Sequence, residues 1–270
     1  MAKYKKKRAR QLKHDVFRDW ALKFFDRVGD RLEGKGRTIL YGIGGVVVIA
    51  VIIGIFFKWT HRRADEARQA LGRAIAIASA PVSTTPSTGP NTGPSFASAQ
   101  ERAQRAIEIF QKVAEKYGDP YHTEARYFVA TNLLITDRAK GINDLTELSK
   151  NSNKEVAALA KFALAQAKES DAKYDEAATL YRELVAQGGA VVTQETANLR
   201  LALVYKQQGK KKEAGDLLFG IVDAARKAKD TEGNPTPQSQ AARDAAEELQ
   251  KLDPDRYAQL PAEAPPNLPF

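Results

Sequence analysis

Three histidines are the first places to look for chemistry: His14, His61 and His122. No two of them stand at a spacing that lets imidazoles share a metal, and no H-E-x-x-H occurs. His61 sits among arginines in KWTHRR. His122 follows Pro120, where capping or simple exposure is the usual role of a histidine. The chain has no Cys, so a thiolate nucleophile, a thiolate metal site and a disulfide framework are excluded. An oxidising compartment is permitted. No G-x-S-x-G is present. The glycines of YGIGG lack the preceding strand and the Lys-Ser/Thr that a phosphate-binding loop needs. The carboxylates of YDE and EEL fall on helical surfaces, where pairing with Lys or Arg four residues away is the ordinary outcome. No catalytic set assembles. The expectation is a non-enzyme without cofactor or metal, whose work is binding.

The elements that would carry a binding surface follow from composition. The net charge of +9 is uneven. Residues 1–37 hold 13 Lys/Arg against 5 Asp/Glu, and the remainder holds 29 against 28. The basicity belongs to a tail and not to a domain face, so nucleic acid is not expected as a partner. Thr38–Phe57, TILYGIGGVVVIAVIIGIFF, is twenty residues without a charge. At 1.5 Å per residue a helix of that length covers roughly 30 Å, the thickness of a hydrocarbon core. A long tail precedes it and KWTHRR follows, which fits an uncleaved signal-anchor better than a cleaved signal peptide. Tyr41 and Trp59 suit the two membrane interfaces. The basic tail favours a cytoplasmic N-terminus and a C-terminal part outside the cytoplasm. The flanking windows are nearly balanced, with six Lys/Arg in residues 18–37 and five in 58–77. Ala50 and Gly54 form a small-xxx-small pair that would suit a homodimer of the span, although glycine is also common in such helices.

Before the span, Phe17, Trp20, Phe24 and Phe25 share one helical stripe, with charged residues on the other faces. Such a helix would lie in the lipid interface or dock on a partner subunit. MAKYKKKRAR would add attraction to anionic lipid.

After the span the composition is helical, rich in Ala, Leu, Lys, Glu and Gln. Three segments repeat. Ala130, Ala165 and Ala202 recur 35 and 37 residues apart, and Ile142, Ala177 and Ala214 recur at the same intervals. That is close to the 34-residue tetratricopeptide period. Small residues on both helices of a hairpin allow close approach, and such hairpins must stack to bury their apolar faces. Extending the phase backward makes AQRAIEIFQKVAEKYGDP a second helix, with Ala106 in register. Its first helix is then Arg62 to Ala80, carrying Leu71 and Gly72. The uncharged stretch PVSTTPSTGPNTGPSFAS, 81–98, becomes a loop inside the first repeat.

The fold class expected is all-α: one transmembrane helix and then a tetratricopeptide-like solenoid of helical hairpins. The parts are the basic tail 1–37, the span 38–57 and the repeats 58–230. A loop and capping helix, 231–252, and a Pro-rich tail, 253–270, follow; the tail is expected to be extended or disordered. Helices that open each repeat line the concave face. Tyr127, Phe162 and Leu199 share one repeat position there, and Thr131, Gln166 and Leu203 share another. They would form a groove for an extended apolar segment, or pack between repeats as core.

The order of parts resembles the YfgM-type family, the ancillary subunit of the bacterial Sec translocon. KWTHRRADEARQALGRAIAIAS, FQKVAEKYGDPYHTEARYFVATNLL and LRLALVYKQQGKKKEA carry the likeness, across roughly residues 38–230. The basic, aromatic tail and the Pro-rich C-terminus depart from the family's pattern. The resemblance implies an inner-membrane protein with periplasmic repeats that contacts translocon subunits and periplasmic chaperones during protein export. Two other readings fit the same parts. One is a scaffold subunit of a division or outer-membrane assembly complex. The other is a regulator acting through the cytoplasmic tail.

Overall fold

The computed structural model describes residues 63–83 and 94–263. The chain divides into two units, Met1–Asp65 and Glu66–Phe270. The basic tail, the apolar run 38–57 and the residues Phe17, Trp20, Phe24, Phe25, Tyr41 and Trp59 lie outside the described residues. Among the described residues no helix is long and apolar enough to cross a membrane.

The second unit is all-α in its elements, with isolated β-bridges and no strand among the described residues. Helix α1 occupies 63–78. It is followed by α2 (Ala99–Lys116), α3 (Tyr121–Thr136), α4 (Arg138–Leu148) and α5 (Lys154–Ser170). Then come α6 (Tyr174–Gln187), α7 (Gln194–Gln207), α8 (Lys211–Lys227), α9 (Gln240–Leu252) and the single turn α10 (Pro254–Tyr257). The starts are written locally. Ser98, Asn153, Thr193 and Ser239 stand at N-caps, and each side chain accepts from a backbone N–H of the first turn. At α2 the pattern is reinforced by Glu101, whose carboxylate accepts from the Ala97 N–H at 3.0 Å.

Consecutive helices pack as antiparallel hairpins, and the apolar interior is strung along them in series. Leu71 and Ala74 of α1 meet Ala106, Phe110 and Val113 of α2 and Ala125, Val129 and Leu133 of α3. Phe110, fully buried, stacks on Phe128 with centroids 4.8 Å apart. The next cluster joins α3, α4 and α5 through Ala130, Leu145, Leu148, Val156, Ala160 and Leu164. A third joins α5, α6 and α7 around Tyr181 and Leu184, and the last joins α7, α8 and α9 around Leu218, Val222 and Leu249. Each cluster shares a helix with its neighbour, so burial is local in sequence and passes along the row. The repeating alanines are the points of contact: Ala130, Ala165, Ala202, Ala177 and Ala214 all have 0% exposure.

The connection between α1 and α2 is closed at its base. Val82 and Phe96 form a parallel bridge: the Ser83 N–H donates to the Phe96 carbonyl at 2.9 Å, and the Phe96 N–H to the Pro81 carbonyl at 3.1 Å. Arg102 of α2 reaches back to the carbonyl of Ala80 at 3.0 Å, satisfying an acceptor at the end of α1. Residues 84–93 lie outside the described residues.

Two features differ from the sequence reading. In the hairpin α3–α4 the close contact is made by Gly141 and not by Ile142, which is half-buried. A Cβ on Gly141 would stand 2.7 Å from the Leu134 nitrogen and 3.0 Å from the Ala130 carbonyl. The cause is register. Arg138 opens α4 eight residues after Ala130, whereas Tyr174 and Lys211 open α6 and α8 nine residues after Ala165 and Ala202. The second difference is the Pro-rich tail. Pro254–Tyr257 form a helical turn, begun by Asp253 as N-cap with Pro254 in the first turn. Leu260 is buried in the last cluster. Arg226 of α8 holds this segment, donating to the Pro261 carbonyl at 2.6 Å and to the Tyr257 hydroxyl at 3.2 Å.

Candidate functional site

The six residues expected along the concave face are spread over α3, α5 and α7. Tyr127 is half-buried and packs on the second cluster, edge-on to Phe128 at 5.4 Å. Burial raises its phenol above the usual range. Thr131, four residues on, donates its hydroxyl to the Phe128 carbonyl at 3.0 Å. Phe162 is half-buried on the third cluster, edge-on to Tyr181 at 5.8 Å. Gln166 is exposed. Leu199, at 7% exposure, belongs to the last cluster, and Leu203 packs beside it half-buried. So Tyr127, Phe162 and Leu199, which share one repeat position, pack on three different interior clusters.

Leu199 and Leu203 come together in one cavity. It is a cleft of about 510 Å³ between α7 and α9. Helix α7 supplies Thr196, Leu199, Arg200 and Leu203. Helix α9 supplies Gln240, Ala241, Asp244, Glu247 and Glu248; Ala241 also packs against the last cluster beside Ala242, Ala245 and Leu249. The spacing of that polar face is helical and visible in AARDAAEELQKL. Repeat position alone does not reveal it, because the cleft lies between α7 and α9 and not along equivalent positions of successive repeats.

The two walls are held by charged groups. Arg200 donates to Glu169 of α5 at 2.6 Å, and the Tyr181 hydroxyl of α6 donates to the same carboxylate oxygen at 3.1 Å. Three helices are thereby tied at one carboxylate. Burial pushes the Tyr181 phenol well above its usual range, so it stays a donor. Lys206 of α7 reaches Glu248 of α9 at 2.5 Å. That hydrogen bond, with the lysine charge, holds the Glu248 carboxyl below the usual range despite partial burial. Ser239 adds a link from the start of α9 to Glu195 on α7.

A second cleft, about 520 Å³, lies where the α4–α5 and α6–α7 connections meet. Lys150, Asn151, Gly188 and Val191 are among its walls. His122 lies elsewhere: its Nδ1 is 2.8 Å from the Ala114 carbonyl, tying the start of α3 to α2. His14 and His61 are outside the described residues. Among the described residues no group of three or more His, Cys, Asp or Glu side chains could hold a metal ion. Compared with protein-family models, with curated proteins and with solved structures, the chain matches none of them.

Proposed function

We propose that this chain is a membrane-anchored, non-catalytic adaptor that binds other proteins through a tetratricopeptide-like solenoid. The observation that carries this reading is the cleft between α7 and α9, lined by Leu199 and Leu203 together with polar side chains. A concave site with an apolar base and few oriented polar groups is the usual form of a binding site. The helical-hairpin arrangement supports it, because stacked hairpins offer long surfaces and no built-in chemistry. The uncharged run 38–57 and the basic tail support an anchor with the N-terminus in the cytoplasm. The resemblance to the YfgM-type family favours the bacterial inner membrane, a periplasmic solenoid, and translocon subunits or periplasmic chaperones as partners.

Photocross-linking from positions Thr196, Gln240 and Glu247, which line the cleft, in intact membranes tests the reading. Envelope proteins captured at these positions and not at Glu232, in the α8–α9 connection, are the expected result. Equal capture at all four would sink the idea of a binding face. Because the chain has no Cys, a single cysteine placed at Lys5 or at Glu232 can be tested with a membrane-impermeant maleimide. Labelling of intact inner-membrane spheroplasts is expected at the second site only; the reverse pattern overturns the orientation.

A further inference from the structure

We infer that the cleft between α7 and α9 takes an extended segment of a partner protein in which an apolar side chain stands beside Lys or Arg. This rests on the adaptor reading above and specifies the partner's chemistry. The apolar part of the lining is Leu199 and Leu203 from one wall and Ala241 from the other. A volume of about 510 Å³ accommodates side chains and backbone together. The charges lining the cleft select the sign of the neighbour.

Arg200 is the one cation of the lining, and it is committed to Glu169, outside the cleft, at 2.6 Å. Glu248 is committed to Lys206 at 2.5 Å. Asp244 accepts from the Gln240 amide at 2.6 Å and has no ion pair among the described residues. Glu247 has Lys251 at 3.8 Å, with side chains 73% and 65% exposed, so their pairing is loose and screened. The α9 wall therefore presents Asp244 and Glu247 without full neutralisation. An acidic segment would meet like charge there, and a basic one would meet opposite charge, the arrangement that gives specificity at a rim.

The test uses the full-length chain in detergent micelles and two fluorescein-labelled dodecapeptides of Gly and Ser. One has Leu-Leu-Lys-Arg at its centre and the other Leu-Leu-Glu-Glu. Fluorescence anisotropy is expected to show the basic probe binding about fivefold tighter or better, with the preference fading at high salt. Asp244→Asn with Glu247→Gln should remove the preference, and Glu247→Lys should turn it toward the acidic probe. Leu203→Ala should weaken both probes alike. Circular dichroism melting of each variant establishes that it is folded. Binding without charge preference, or a preference unchanged by the α9 substitutions, would overturn the inference. If cross-linking still captures proteins in that case, the adaptor reading stands without it. If neither probe binds and no protein is captured, both are lost.

Discussion

The hairpins α3–α4 and α5–α6 reverse the chain in different ways. A single residue, Asp137, separates α3 from α4; it is both the C-cap of one and the N-cap of the other. Its N–H donates to the Leu133 carbonyl at 2.7 Å, and its carboxylate accepts from the Lys140 N–H at 3.1 Å. Between α5 and α6 stand Asp171, Ala172 and Lys173. There the Lys173 N–H reaches the Lys168 carbonyl, the Ala172 N–H reaches the Glu169 carbonyl, and Ala172 has φ 57°. This is a Schellman motif with alanine in the left-handed position that glycine usually fills. The α7–α8 turn has the same bonds, with Gly209 at φ 73° in the equivalent place. The shorter turn brings α4 in one residue early and so close that only glycine fits at the crossing. The longer turn leaves room for Ala177. A one-residue shift in where the second helix starts thus sets which side chain the interior tolerates about one helical turn further on.

This contrast can be broken at four points, each read as a shift in urea midpoint by circular dichroism. Gly141→Ala has the largest expected effect, a loss of about 2–3 kcal/mol: the new methyl must displace backbone atoms, and this outweighs alanine's better helix propensity. A neutral or stabilising result would mean that the crossing relaxes freely. Ala177→Gly, the reverse exchange in the wider hairpin, should cost about 1–2 kcal/mol from helix propensity and the lost methyl. Asp137→Ala should cost about 1 kcal/mol, because the cap bond to Lys140 is lost. The smallest effect is a gain: Ala172→Gly should stabilise by about 0.5–1 kcal/mol by relieving the left-handed alanine. If Ala172→Gly destabilises while Gly209→Ala does not, the two turns are not equivalent.

The expected helical hairpins were legible because small residues recur at nearly equal intervals, 35 and 37 residues. Ser98, Asn153 and Thr193 announce helix starts, and Ala130, Ala165 and Ala202 mark the crossings. Gly141 was not legible by spacing, because alignment to the later repeats assumed equal turns and selected Ile142. The docking of Tyr257 and Leu260 was masked by proline content, although Asp253-Pro254 is itself a helix-start signal. Of the site, Leu199 and Leu203 could be found from repeat position. Asp244 and Glu247 could not, because their meaning depends on α9 lying against α7, a contact that no period within one helix encodes.

The bridge between Val82 and Phe96, with Arg102 fastened to Ala80, has a practical use. It works as a clasp: the ends of the connection are fixed where they leave α1 and enter α2. The cost of a longer flexible connection grows only slowly, by about 0.6 kcal/mol for each doubling. An epitope or a fluorescent reporter inserted between Ser83 and Pro94 is therefore expected to leave Leu71 and Phe110 in their places in the interior.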